Sequence, residues 1–225
     1  MQGLGVILLT YDRMDYTKTT IKSFLNNIKT KEKIHFHIAD DGSGTDYVNE
    51  LIDYVGDFGI KATSSNSNRG GYGANYNMAT QVIHYDCDLV FVLEDDWELR
   101  REFNLDQYCK VIRENKGIDA IRFGYIGYTQ ELKAKFVSSH GEQFLLLDPD
   151  SPEPHIFAGH PRLESVKYQR EVGEWPLNVD PGTTEFMVAH IPRSRRGVAW
   201  PIDLVHPRGD LFYHIGTIQA RSDQK

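Results

Sequence analysis

The chain has 225 residues and a formal net charge of −7, with hydrophobic residues at 40% and charged residues at 25%. That is ordinary globular usage and excludes a disordered chain. Two cysteines, Cys87 and Cys109, cannot build a disulfide framework and form no zinc-type pair, so a reducing, cytoplasmic setting is expected. The apolar run Val6 to Leu9 is too short for a signal segment or a membrane span, so a soluble protein with no membrane partner is expected. Residues 1–159 carry 16 basic and 24 acidic side chains, and residues 160–225 carry 9 and 8. A uniformly basic nucleic-acid coat is thereby excluded, whereas a local basic site in the C-terminal third is not.

In chain order, Gly5–Thr10 is a continuous apolar run of the kind a buried strand requires. Thr17–Ile28 places Thr20, Ile21, Phe24, Leu25 and Ile28 at helical spacing. Ile34–Asp40 follows as a strand, Tyr47–Val55 as a helix, Ile60–Thr63 as a short strand and Gly73–His84 as a helix. Leu89–Leu93 is a fourth strand, Phe103–Arg113 a helix and Ala120–Phe123 a fifth strand. This alternation predicts an α/β fold with a mostly parallel sheet and right-handed crossovers. Beyond it, Lys133–Ser139 and Gln143–Leu147 suit a hairpin, and Asp148–Pro154 a loop. Pro161–Arg170 and Thr183–His190 are expected as short helices, and Gly197–Gly216 as short strands or loops. One continuous domain is expected over 1–225, with a C-terminal region forming a lid and acceptor side.

Ligands of open parallel sheets bind beyond the carboxyl ends of the strands, and there the sequence is polar. Thr10-Tyr11-Asp12-Arg13 follows the first strand, Asp40-Asp41-Gly42-Ser43 the second, Asn68-Arg69-Gly70-Gly71-Tyr72-Gly73 the third and Glu94-Asp95-Asp96 the fourth. Three acids after a buried strand repel one another and are costly to desolvate without a cation. Hard carboxylate oxygens suit Mg²⁺ or Mn²⁺, which in turn bind phosphates; a solvated turn at a helix start is the alternative. The glycines at 70–73 match neither a P-loop nor the GxGxxG spacing, but they let backbone approach a phosphate or sugar. Asp40 and Asp41 suit either a turn with an Asx bond or a contact to a base or ribose.

These pieces, from Val6-Ile7-Leu8-Leu9-Thr10-Tyr11-Asp12-Arg13 through Asp40-Asp41-Gly42-Ser43 and Asn68-Arg69-Gly70 to Leu93-Glu94-Asp95-Asp96, resemble the GT-A glycosyltransferases of the family-2 type over roughly residues 4–100. The resemblance implies a GT-A, Rossmann-like fold whose first half, 1–100, binds a nucleotide-diphosphate-sugar and whose second half, 101–225, supplies the acceptor site and a catalytic base. It implies that Thr10, Tyr11, Arg13, Asp40, Asp41, Arg69 and Gly70 hold the nucleotide. Glu94-Asp95-Asp96 corresponds to the family's DxD-type motif, with Asp96 the main metal ligand and Glu94 or Asp95 near the ribose; the motif here begins with Glu. Pro181-Gly182-Thr183-Thr184-Glu185-Phe186 resembles the family's short helix bearing the base, which points to Glu185, with Asp180 next, although Phe186 stands where an acid is common. His214 resembles the late histidine that completes the metal site, with His160 and His206 as weaker candidates. His35 and His37 share a strand face and are expected to be structural.

The implied activity is inverting, Mn²⁺- or Mg²⁺-dependent transfer of a sugar, from a UDP-sugar by preference, to a hydroxyl on a glycan, a protein or a hydroxymethylated DNA base. Arg193, Arg195 and Arg196 either hold an anionic acceptor or pair with the chain's own acids, and Trp97, Trp175 and Trp200 either stack on ligands or fill the core. A sugar-nucleotide nucleotidyltransferase is a second possibility, but its usual glycine-rich loop after the first strand is absent from Thr10–Arg13. A non-catalytic nucleotide-sugar-binding module is a third, opposed by the intact acids at 94–96 and 185.

Overall fold

The computed structural model describes residues 3–124, 132–152, 159–204 and 211–216. The elements run β1 (Leu4–Thr10), α1 (Met14–Asn27), β2 (Ile28–Lys29), β3 (Ile34–Asp40), α2 (Thr45–Gly56), β4 (Ala62–Asn66), α3 (Gly71–Ile83) and β5 (Leu89–Glu94). Then come β6 (Trp97–Leu99), β7 (Phe103–Asn104), α4 (Leu105–Glu114), β8 (Ala120–Arg122), β9 (Ala134–Ser139) and β10 (Glu142–Leu147). The last are β11 (Arg162–Ser165), α5 (Val166–Val172), α6 (Pro181–Ala189), β12 (Val198–Pro201) and β13 (Phe212–His214), with 3₁₀ turns at Pro192–Arg195 and Ile202–Leu204. His206 and residues 153–154 of the expected acidic loop lie outside the described residues.

Nine strands form one sheet in the order β4-β3-β1-β5-β11-β8-β12-β10-β9. The expected parallel set is present: β1 pairs in parallel with β3 and β5, and β3 with β4. The second half makes the sheet mixed. β11 runs antiparallel between β5 and β8, β12 is parallel to β8, and β10 pairs antiparallel with β12 and β9. Small two-stranded pairs, β13 with β6 and β2 with β7, flank it.

The apolar run of β1 is explained by two cores. Leu4, Val6 and Leu8 join Ile21 and Phe24 of α1, Leu51 and Val55 of α2, and the apolar stripe of α4 on one face. Ile7 and Leu9 join Tyr76 and Ala79 of α3, Tyr168 of α5 and Val188 of α6 on the other. A strand covered on both faces has no polar side to present. Trp97, Trp175 and Trp200 are all buried in these cores, which gives them packing roles.

Three sequence expectations need correction. The expected helix Pro161–Arg170 divides into strand β11 and helix α5, the latter capped by Ser165, whose side chain accepts from the Tyr168 amide at 3.0 Å. Arg162 and Glu164 alternate on β11, both 1% exposed and paired at 2.9 Å. The third strand lies at Ala62–Asn66 and not at Ile60–Thr63, because Ile60 packs on the core from the preceding loop. The edge strand itself is polar, as edges commonly are. Finally, Phe103 and Asn104 form β7 before α4 begins.

His37 of β3 is fully buried, with Nδ1 2.8 Å from Thr63 Oγ1 and Nε2 2.9 Å from Ser65 Oγ on β4. Burial holds its pKa down to about 4, against an ordinary 6.5. Above pH 6.5 neither state binds the proton, so His37 adds no pH dependence there. As pH falls from 6.5 to 4, the unfolded chain takes up a proton that the folded chain refuses, and stability declines. At ~1.4 kcal/mol per unit the decline is about 3 kcal/mol. His37→Gln keeps a donor and an acceptor, so its stability in chemical denaturation should fall less over this window than that of the parent. Equal slopes would mean that His37 is protonated within the fold.

Candidate active site

The loops after β1, β3 and β5 are stitched together at the C-terminal edge of the sheet. The Tyr11 amide donates to Asp95 Oδ2 at 3.2 Å, and the Asp12 amide to Ser43 Oγ at 2.8 Å. Thr20 Oγ1 of α1 donates to the Asp95 carbonyl at 2.8 Å. Thr10 is buried, with its hydroxyl 3.0 Å from Thr17 Oγ1 and 2.5 Å from Tyr47 Oη. In the loop after β3, Gly42 has φ +103°, and a Cβ there would meet Arg69 Cγ at 2.9 Å; the close approach of Arg69 requires glycine.

A cleft of about 780 Å³ opens between these loops and α6, lined by Thr10, Tyr11, Arg13, Asp41, Tyr72, Asn75, Glu94, Asp95, Asp96, Asp180, Glu185, His214 and Gly216 among others. Asp95 and Asp96 are both buried. The Arg13 guanidinium bonds to both, through Nη2 to Asp95 Oδ1 and through Nη1 to Asp96 Oδ2 at 2.9 Å. His214 Nε2 lies 3.2 Å from the same Asp96 oxygen. Burial raises Asp95 to about 6 against the pull of Arg13. Burial also pushes Asp96 upward, but the His214 hydrogen bond and the Arg13 charge outweigh it and hold Asp96 below the usual carboxylate range. That hydrogen bond raises His214 in turn. Burial and the nearby Asp96 push Glu94 up to about 8, although Tyr72 Oη donates to it at 2.6 Å.

The donor set fits a hard divalent cation. Asp96 Oδ1 is buried and has no hydrogen-bond partner, so one carboxylate oxygen is available to a ligand. Gly216 packs against the same carboxylate, so closely that a Cβ there would stand 2.3 Å from Asp96 Oδ2. Among the described residues no group of three or more His, Cys, Asp or Glu side chains is arranged to hold a metal ion. Asp96 and His214 would supply two ligands, and the remaining positions suit water and substrate phosphates, the usual manner for Mg²⁺.

The second half contributes α6. Asp180 is its N-cap: Oδ1 accepts from the Thr183 amide at 2.9 Å and Oδ2 from the Thr183 hydroxyl at 2.5 Å, while Pro181 starts the helix. These bonds hold Asp180 below the usual carboxylate range. Glu185, one turn further, accepts from the Gly159 amide at 2.5 Å. The cleft thus brings together Thr10, Tyr11, Arg13, Asp41, Glu94, Asp95, Asp96, Glu185 and His214 from the sequence expectations. Asp40, Arg69 and Gly70 do not line it. Asp40 is fully buried, and its carboxylate takes the Gly42 and Ser43 amides, the Ser43 hydroxyl and Asn66 Nδ2, which shapes the loop beneath the cleft. Asp41 accepts from the Ser67 hydroxyl and from the Gly71 amide at 3.0 Å.

His160 stacks edge-on against Trp97, 5.1 Å between centroids, on the same indole that His214 meets at 5.0 Å. His37 is structural, as expected. Arg193 pairs with Glu171 and with Asp119 at 2.8 Å, and Arg195 donates to the carbonyls of Ala189 and Ser151. Arg193 and Arg195 therefore serve the chain's own acids and carbonyls, whereas Arg196 is exposed. The sequence expectations missed Tyr47, Asn75, Gly159 and Gly216. The spacing of Tyr72 and Asn75 on the first turn of α3 signals one shared face, whereas nothing local marks either glycine.

The sequence matches the family described as Glycosyl transferase family 2 over residues 5–173, and the chain belongs to that family. No curated protein matches it. Among solved structures, S. aureus TarS 1–349 in complex with UDP-GlcNAc is similar, with TM-score 0.68, 14% identity and coverage of 97% of this chain and 60% of that one. The mannosyltransferase PcManGT from Pyrobaculum calidifontis, in complex with GDP-Man and Mn²⁺, has TM-score 0.57 and 14% identity, covering 88% and 56%. Glucosyl-3-phosphoglycerate synthase from Mycobacterium tuberculosis, in complex with Mn²⁺, UDP and glucosyl-3-phosphoglycerate, has TM-score 0.55 and 14% identity, covering 88% and 69%. The fold is thus the GT-A fold, and the chain spans about 60% of the length of TarS 1–349. No helix among the described residues is long and apolar enough to cross a membrane.

Arg13→Ala would leave Asp95 and Asp96 side by side without their guanidinium. Stability should fall by ~3 kcal/mol, the lower end of the loss on breaking a buried ion pair. Mn²⁺ should raise the melting temperature of this variant more than that of the parent, since a cation bound to the native state restores the missing charge. A melting temperature and a Mn²⁺ shift both equal to those of the parent would remove Arg13 from this role.

Proposed function

We propose that this chain is an inverting glycosyltransferase that moves a sugar from a nucleotide-diphosphate-sugar to an acceptor hydroxyl. The observation that carries the proposal is one cleft holding Arg13, Asp95, Asp96 and His214 on one side and Glu185 on the other. Family membership supports glycosyl transfer over the nucleotidyl transfer or passive binding that the sequence also allowed. The similar structures holding UDP or UDP-GlcNAc favour UDP as the nucleotide, with GDP, held by PcManGT, as the competitor.

Asp96 and His214 would hold Mn²⁺ or Mg²⁺. When bound, such a cation offsets the charge of the departing diphosphate. Thr10, Tyr11, Arg13 and Asp41 line the nucleotide side. Glu185 takes the proton of the acceptor hydroxyl as its oxygen attacks the anomeric carbon and the bond from that carbon to the diphosphate oxygen breaks. One displacement inverts the anomeric centre. Asp180 is a poorer base, because its oxygens already accept from Thr183 and are held well ionised. The acceptor hydroxyl belongs to a glycan, a protein or a hydroxymethylated DNA base.

Turnover of UDP-sugars by Glu185→Gln should fall by ~10²–10⁴, the range for losing a positioned general base. UDP affinity in Mn²⁺ should stay near that of the parent, because Glu185 faces the acceptor. Normal turnover in this variant would reassign the base. Asp96→Ala should abolish the difference in UDP affinity between Mn²⁺ and excess EDTA seen by calorimetry; a parent protein without that difference would refute the cation site.

A further inference from the structure

Gly159 stands between two carboxylates that come from distant parts of the chain. Its amide donates to Glu185 Oε1 at 2.5 Å. Its α-carbon faces Glu94: a methyl group there would lie 1.8 Å from Glu94 Oε1, 2.5 Å from Cδ and 2.7 Å from Oε2. Gly159 is not among the glycines with positive φ, so alanine could adopt its backbone conformation without strain. The requirement for glycine is therefore spatial.

The two sides of this contact differ in how easily they move. Glu94 ends β5 and is in register with Leu9 of β1. Its carboxylate accepts from Tyr72, whose ring packs 5.4 Å from Trp175, and Trp175 stacks on Tyr76 at 4.1 Å. Gly159 precedes β11, three residues before the first paired residue, Arg162. A side chain at 159 would be relieved by the backbone of 159 lifting from Glu94, and the lift would take the amide off Glu185.

We propose that Gly159 is a positioning residue that sets Glu185 against the donor-side acids: its amide fixes the plane of the Glu185 carboxylate, and its missing side chain holds that amide against Glu94. The inference rests on Glu185 as the base. Directional proton transfer depends on that plane, and a misplacement of about 1 Å costs ~10²-fold.

The test is Gly159→Ala. Turnover of a UDP-sugar should fall ~10²-fold, while UDP affinity in Mn²⁺, measured by calorimetry, stays within about threefold, because the backbone of 159 gives way while Glu94 keeps its bond to Tyr72. Loss of both in proportion would indicate a merely structural role and overturn the proposal. A double-mutant cycle supplies the second readout. Glu94→Ala removes the atoms that the new methyl would strike, so adding Gly159→Ala to Glu94→Ala should cost no more than about twofold in turnover. An equal cost in both backgrounds overturns the proposal. If Gly159→Ala alone does not fold, recovery of folding in the double variant supports the steric argument, and failure to recover overturns it. Glu185→Gln separates the two levels: normal turnover there refutes the base, whereas an impaired Glu185→Gln beside an active Gly159→Ala refutes the positioning role alone.

Discussion

Asp95 and Asp96 lie buried side by side at the end of β5, and one guanidinium answers both. Two like charges about 4 Å apart repel by ~4 kcal/mol at an effective dielectric constant near 20, so Arg13 relieves most of the strain at this edge of the sheet. Arg13 is held by the start of α1. Its carbonyl accepts from the Thr17 amide at 2.9 Å and from the Thr17 hydroxyl at 2.8 Å. Thr17 in turn bonds to Thr10 of β1 and to Tyr47 of α2. The electrostatic demand of the two acids just after β5 is thereby tied to the start of α1 and, through Tyr47, to α2. The cleft is the visible end of that chain of constraints.

A second polar layer lies beneath the first and explains the antiparallel strand. Arg162 and Glu164 on β11 pair with each other, and Glu164 Oε2 also accepts from Gln169 Nε2 at 2.7 Å and from Tyr76 Oη at 3.2 Å. Gln169 continues to His84 at 2.8 Å. A buried ion pair is rarely a net source of stability, but one with several further hydrogen bonds specifies a single arrangement. Arg162 lies opposite Val92 of β5 and acts on Glu94 and Tyr72 through its charge. Inserting β11 next to β5 therefore brings a cation under an otherwise acidic floor, which a further parallel apolar strand would not do.

The first half of the fold was legible because its signals are local. Val6 to Leu9 alternate between two cores, so an unbroken apolar run and a central strand are the same fact. The polar clusters after β1, β3 and β5 were legible as a site because strand ends are where open α/β sheets bind ligands. Asp40 was harder, since an Asx bond within a turn and a contact to a ligand use the same carboxylate; its burial decides for the turn. Pro161–Arg170 was expected as a helix because the ion pair of Arg162 with Glu164, which lets two charges lie inside a strand, is visible only in the fold. Gly159 and Gly216 carried no local signal, because the groups a side chain there would meet are Glu94 in one case and Asp96 in the other, 65 and 120 residues away in the chain. The arginine run at 193–196 pointed outward by composition, yet Asp119 and Glu171 draw Arg193 into the fold.

The charge of the cleft bears on how a nucleotide-sugar would be held. Six carboxylates line it, those of Asp41, Glu94, Asp95, Asp96, Asp180 and Glu185, against the one guanidinium of Arg13. Arg13 is already engaged by Asp95 and Asp96, and Glu94 relieves part of the charge by resisting ionisation below about 8. A diphosphate entering such a site meets a negative potential that the one guanidinium does not cancel. Its binding must therefore be coupled to the arrival of further positive charge, and by linkage each partner strengthens the other by the same factor. This coupling follows from the side chains of the cleft alone. A site that held a divalent cation tightly without the diphosphate would lose the dependence of one on the other, whereas two protein ligands, with the rest supplied by the substrate, would preserve it.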